Sequence, residues 1–164
     1  MPLGELLTRW TVRFALAFYV ASLATRGFAP KSSRIAWTAG CLAYLLHVVA
    51  AFAYYHDWSH DQAYAFTAQQ TNDVVGIDWG GGLYVNYWFT LVWIGDATWW
   101  WLNAERYLRR PCWLDGSVHG FLGFIAFNAT VVFATGYSRW FGIAACGLLS
   151  VVWYLDWKRT RLMR

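Results

Sequence analysis

The sequence predicts an all-α, polytopic transmembrane helical bundle, and three observations lead there. Of its 164 residues, 59% are hydrophobic and only 13% are charged, against about 25% charged in soluble domains. Thirteen tryptophans and ten tyrosines suit the headgroup layers, where amphipathic rings collect. Four long apolar runs, with no alternating pattern, suit helices rather than the strands of a membrane barrel.

A helix needs about 20 apolar residues to cross a bilayer. The runs that meet or approach this are 35–55, 83–102, 118–137 and 140–154. Residues 10–28 form a weaker fifth span, because Arg13 and Arg26 leave only twelve uncharged residues between them. Long arginine side chains snorkel to the interface, so five spans are expected. An interfacial first segment would leave four. The same stretch resembles a secretory signal ending near Ser22-Leu23-Ala24, but cleavage there would leave Arg26, Lys31 and Arg34 outside. No repeat or linker divides the chain, so residues 1–164 read as one integral membrane domain.

The charges set the orientation. Arg26, Lys31 and Arg34 precede the second span, Arg106, Arg109 and Arg110 separate the third from the fourth, and Lys158, Arg159, Arg161 and Arg164 form the tail. Ten of the thirteen positive charges are cytoplasmic if these segments are, as the positive-inside rule demands. Residues 56–82 hold Asp57, Asp61, Asp73 and Asp78 and no Lys or Arg, which places them on the non-cytoplasmic side and the C-terminus in the cytoplasm. The lipid bilayer is the first expected partner. A nucleic acid is not, because no basic tract carries interleaved aromatics.

The external segment carries the densest polar chemistry. No Gly or Pro interrupts residues 41–75, so the second span is expected to continue as a helix to about Asn72. His56 and His60 would then stack one turn apart, about 40° around the axis, with Thr67 and Thr71 on the same side as ligand-binding candidates. Two imidazoles at this spacing can share a metal. The candidate metal ligands are His56, His60, Asp73 and Asp78, and the expected cofactor is a transition metal ion such as zinc or copper. The glycine run Gly80, Gly81 and Gly82 allows close backbone approach, and exposed amides there are candidates for an anionic ligand. Asp78 is also placed to cap the helix that follows. The cysteines lack metal-site spacing.

Within the membrane, Asp96 lies past the middle of the third span. A carboxylate at that depth requires a partner, and the candidates are Asn128, His47, Arg13 and Arg26. Three functional expectations follow. The first is a membrane protein that binds a metal ion or small ligand through its His/Asp-rich external segment. The second is an accessory structural subunit of a larger membrane complex. The third is a small oligomeric proton or cation transporter built on Asp96. No serine or cysteine nucleophile has a visible base, and no nucleotide-binding pattern is present, so enzyme activity is left open.

Overall fold

The computed structural model describes residues 3–134 and 136–162, and every regular element among them is helical. The helices are α1 (Leu3–Thr25), α2 (Pro30–Tyr55), α3 (His60–Val75), α4 (Gly82–Leu102), α5 (Ala104–Leu108), α6 (Cys112–Phe127) and α7 (Tyr137–Leu162). A π-helical turn, Asn128–Val132, continues α6. Among the described residues one helix, Pro30–Tyr55, is long and apolar enough by composition to cross a membrane.

The chain folds back on itself at two ends. Helices α1 and α2 form an antiparallel hairpin tied at the turn by two serines. The hydroxyl of Ser22 donates to the carbonyl of Ser33 at 2.9 Å, and the hydroxyl of Ser33 donates to the carbonyl of Ser22 at 2.8 Å. Both serines are fully buried, so each buried hydroxyl is satisfied by the facing backbone. At the other end of the hairpin Gly4 lies against Tyr54, so close that a Cβ would stand 2.6 Å from the ring. Pro30 starts α2 in the first-turn position that a proline tolerates.

Helix α4 packs on this hairpin through aromatic rings. Trp37, Trp93 and Tyr19 form a triangle with centroids 5.3 to 5.6 Å apart. Phe89 meets Trp93 edge to face at 5.4 Å. Such offset and T-shaped contacts align ring edges with ring faces. Nearer the Leu102 end, the indole of Trp101 donates to the Thr38 hydroxyl at 2.8 Å while the Arg34 guanidinium lies 4.0 Å over its ring.

The expected unbroken helix from the second span to about Asn72 is not formed. Helix α2 stops at Tyr55, and Asp57 and Trp58 take left-handed φ values of 45° and 57°. Ser59 then caps α3 by accepting from the amide of Gln62 at 3.3 Å. Ser59-His60-Asp61-Gln62 has the S-x-x-Q spacing of a capping box. A local side-chain acceptor at this point competes with continued helix. His56 and His60 therefore belong to different elements and do not stack.

Helix α7 leans on the π turn. A Cβ on Gly142 would stand 2.5 Å from the Thr130 carbonyl oxygen, whereas Gly147 faces open space. We expect Gly142→Val to lower stability by about 1–3 kcal/mol through overpacking against backbone. Gly147→Ala should leave stability unchanged or raise it slightly, since alanine is the better helix former. Thermal unfolding of the two purified variants in mild detergent checks this, and equal melting temperatures would contradict it.

Candidate functional site

Two sites lie at different depths of the bundle. At the Thr25/Leu102 end is a charged network. Asp96, the buried carboxylate of α4, accepts a hydrogen bond from the Tyr107 hydroxyl at 2.8 Å and pairs with Arg110 through the Nη1 nitrogen. Arg110 also bonds Asp115 through Nε at 2.6 Å and Nη2 at 2.5 Å. Arg26, from the end of the hairpin's first arm, forms a two-pronged pair with the same Asp115 at 2.6 and 3.2 Å. His119 Nε2 lies 2.5 Å from Arg26 Nη1 and 3.1 Å from Arg110 Nη2. A guanidinium has no acceptor, so Nε2 accepts from both arginines and the neutral ring carries its proton on Nδ1. That Nδ1 is buried and has no partner among the described residues. The T-shaped contact of the His119 ring with Trp37, at 5.1 Å, joins the network to the aromatic core.

Two arginines against two aspartates make this network neutral. Asn103 positions it from below: its side chain caps α5, accepting from the Arg106 amide at 3.0 Å, and turns the chain so that Tyr107 and Arg110 reach back to Asp96. Tyr107 is fully buried, stacked on Trp100 at 4.3 Å with the Arg110 guanidinium 4.1 Å over its ring. Its hydroxyl is pushed above the ordinary phenol range, by burial first and then by the Asp96 carboxylate. Burial alone would lower the pKa of Arg110, but Asp96 and Tyr107 outweigh it and keep the guanidinium charged.

The second site is a cavity of about 410 Å³ between α1, α2, α3, α4 and the α6–π segment. Its inner wall is aromatic, with Tyr19, Tyr44, Phe89 and Trp93. Its outer part is ringed by His56, Thr67, Gln70, Asn86 and Tyr87. None of its lining residues is Asp, Glu, Lys or Arg. The ring of His47 lies on its side wall, and Nδ1 bonds the Thr8 carbonyl at 2.9 Å. A carbonyl only accepts, so Nδ1 donates and the neutral ring keeps Nε2 as an acceptor. The Thr90 hydroxyl donates to the Asn86 carbonyl at 2.8 Å. The indole N–H of Trp93 is buried and has no acceptor among the described residues.

The sequence-derived candidates distribute unevenly over these sites. His56 is buried at the end of α2, edge-on to Phe52 and Phe66, and burial pushes its pKa below the ordinary imidazole range. It lines the cavity. His60 starts α3 and hydrogen-bonds the Tyr87 hydroxyl through Nδ1 at 3.0 Å. Asp73 and Asp78 are exposed. Among the described residues no three His, Cys, Asp or Glu side chains converge on a common point, so the four metal candidates are not brought together. Thr67 lines the cavity, with its hydroxyl bonded to the Ala63 carbonyl at 2.8 Å. Thr71 returns its hydroxyl to the Thr67 carbonyl at 2.9 Å.

The glycine run is packed rather than open. A Cβ on Gly80 would stand 2.5 Å from the Tyr64 carbonyl oxygen, one on Gly81 would meet the Trp79 ring, and one on Gly82 would lie 3.1 Å from the Thr67 methyl. These glycines let the start of α4 close onto α3. Asp96 finds none of its four expected partners directly: Arg110 and Tyr107 hold it, and Arg26 joins through Asp115 and His119. Asn128 donates to the Phe124 carbonyl of its own helix at 2.8 Å.

Arg110, Tyr107, Asp115 and Trp93 were missed as site residues. Asp115 and His119 sit four apart on one helix face, a signal that could have flagged the network. The chain matches no protein-family model, and neither a curated protein nor a solved structure is similar to it.

Proposed function

We propose that this chain is a multi-pass membrane protein that binds a small, neutral, largely apolar molecule in the cavity between α1, α2, α3 and α4. The cavity carries this reading. Ligand sites are concave and mostly apolar, with a few polar groups that fix orientation, and this one has aromatic walls at depth and uncharged polar groups at its mouth.

Several features support the crossing of a bilayer by α1, α2, α4, α6 with its π turn, and α7. Helix α1 has 23 residues, α2 26, α4 21 and α7 26, and α6 adds the 5 of the π turn to its own 16. At about 1.5 Å per residue each reaches some 30 Å. Their outward faces expose large apolar side chains at mid-length, among them Phe14, Leu46, Leu91, Phe124 and Leu148. Such continuous apolar surface is a liability in water and ordinary in lipid. Helix α4 is rich in tryptophan and tyrosine, which are less hydropathic than aliphatic residues but favour membrane interfaces. In α1, Arg13 lies 5.3 Å over Trp10, and Arg9 pairs with Glu5 at 2.6 Å. Both contacts draw charge toward the helix start, the geometry of a snorkelling arginine. They favour five spans over four. The positive-inside rule then puts the charged network at the cytoplasmic end and the cavity mouth, with His56 and α3, outside.

The test uses 1-aminoanthracene, a neutral fluorescent aromatic amine. Titrated into the purified protein in mild detergent, it should bind saturably, one per chain, with a dissociation constant on the order of micromolar, as ligand efficiency allows for a molecule of this size. A signal that only rises linearly, as in empty micelles, would refute the reading. Impermeant thiol reagents should label Asp73→Cys in intact cells, and labelling only after lysis would reverse the topology.

A further inference from the structure

Where α4 ends, the chain turns at Asn103 and leaves an open hollow of about 430 Å³ against α5, separate from the apolar cavity. Trp99 and Asn103 line it from the end of α4, and Arg106, Arg109 and Arg110 from α5 and the residues just beyond. Its lining holds three guanidiniums and a single carboxylate, that of Glu105. The three arginines are not equally committed. Arg110 is taken up by Asp96 and Asp115. Arg109 pairs with Glu105 at 3.1 Å, but both side chains are largely exposed, and such a pair exchanges for another partner at little cost. Arg106 forms no ion pair among the described residues. The Asn103 carboxamide accepts from the Arg106 amide through its oxygen at 3.0 Å, which leaves its NH₂ group to donate. The hollow therefore offers donors and positive charge, with one weakly held carboxylate against them.

We propose that this hollow binds the phosphate group of an anionic phospholipid of the cytoplasmic leaflet, held by Arg106 and Arg109 with Asn103 donating beside them. Arg106 and Arg109 are three residues apart, the spacing that puts side chains on one side of a helical turn. A guanidinium matches phosphate oxygens with two parallel N–H donors. The depth selects a lipid. Trp99, Trp100 and Trp101 close α4, and tryptophans collect at the headgroup level. On the membrane reading the hollow thus opens beside headgroups, on the side where anionic lipids concentrate and basic pockets take their phosphates. A zwitterionic headgroup is held less well, because its ammonium returns a positive charge to the arginines. The proposal rests on the chain lying in a bilayer and not on the apolar cavity binding anything.

The probes are phosphatidylglycerol and phosphatidylcholine with the same pyrene-labelled chains, so that only the headgroup differs. Each is titrated into the purified protein in mild detergent and read by energy transfer from the tryptophans. Chain partitioning is common to both lipids and cancels in their ratio. Wild type should prefer phosphatidylglycerol, and Arg106→Gln/Arg109→Gln should cut that preference by roughly ten- to thirtyfold, the range for two arginines removed from an anionic headgroup. Lys31→Gln/Lys158→Gln removes the same charge from other cytoplasmic segments and should leave the preference within about twofold, since cations beyond a Debye length are screened. Equal losses in the two variants would mean diffuse surface charge and overturn the site, as would equal binding of the two lipids by wild type. Glycerophosphoglycerol, the headgroup without its chains, separates a lipid from a free phosphate. It should fail to displace the labelled lipid even in large excess, and full displacement would overturn the lipid assignment. The outcome is independent of 1-aminoanthracene: loss of the headgroup preference with that probe still bound defeats this proposal alone, and the reverse defeats only the cavity reading.

Discussion

Arg110→Ala should destabilise the protein by about 3–5 kcal/mol, the cost of leaving a buried partner charge uncompensated. The side chains of Arg110 and Asp96 are 1% and 3% exposed, so water cannot replace the lost guanidinium beside Asp96. Asp115 is 34% exposed and retains Arg26, so its share of the loss is screened and small. Thermal unfolding in mild detergent reads the effect. Arg109→Ala is the control, since Arg109 is 79% exposed and pairs with Glu105 one turn away, where substitution should change little. Equal melting temperatures for the two variants would show that the network holds nothing together. Lysine should not rescue position 110. The guanidinium reaches Asp96, Asp115 and His119 with separate nitrogens, and a single ammonium cannot reproduce that fork.

The double variant Asp96→Leu/Arg110→Met separates packing from charge. Removing both partners avoids the stranded ion, so its stability should exceed the sum of the single losses by about 2 kcal/mol or more. This bears on the transporter expectation for Asp96. A carboxylate held by a guanidinium and a phenol inside a neutral network is suited to locking α4 to α5 and α6. A proton carrier needs to release and regain its charge. If Asp96→Asn left stability untouched while altering proton flux in vesicles, that assignment would have to be reversed.

The helices and their charge asymmetry were legible in the sequence because each depends on local quantities: apolar run length and the sign of the residues between runs. The break at residues 56–59 was missed because the search was for Gly and Pro. Its cause is a serine cap, with Asp57 and Trp58 in left-handed conformations that their residue types do not advertise. That single break dissolved the expected His56/His60 pair. Asp96 was recognised as needing a partner, but the partner lies 14 residues along the same chain. Its approach depends on the turn at Asn103, and a register argument along straight spans cannot foresee a chain that doubles back. The cavity was illegible for another reason. Its walls come from five segments, and its emptiness is a property of how those walls fail to meet, which no single stretch of sequence encodes. Of its lining, only His47, His56 and Thr67 had been singled out, each because it is polar. Trp93 was hidden among thirteen tryptophans, and its place on the cavity wall is visible only in three dimensions.

Filling the cavity should abolish ligand binding and strengthen the empty fold together. Ala51 on α2 and Ala126 on α6 both line it. Replacing each with leucine adds side-chain volume from two walls to a space of about 410 Å³. We expect Ala51→Leu/Ala126→Leu to weaken 1-aminoanthracene by a hundredfold or more, because a well-packed interior has no space for both. Filling empty volume recovers dispersion contacts, at roughly 24 cal/mol per Å³ in soluble hosts, so a few tens of Å³ filled stabilise by about 1 kcal/mol. Packing contacts of this kind also drive helix association in lipid, where the hydrophobic term between helices is absent. The opposite signs make the result interpretable. A variant that merely misfolds loses binding and stability together, whereas an occluded cavity loses binding as its melting temperature holds or rises. Retained micromolar binding in the double variant would place the probe elsewhere, on the outer surface among the exposed aromatic side chains, and the cavity would then be a packing defect rather than a site.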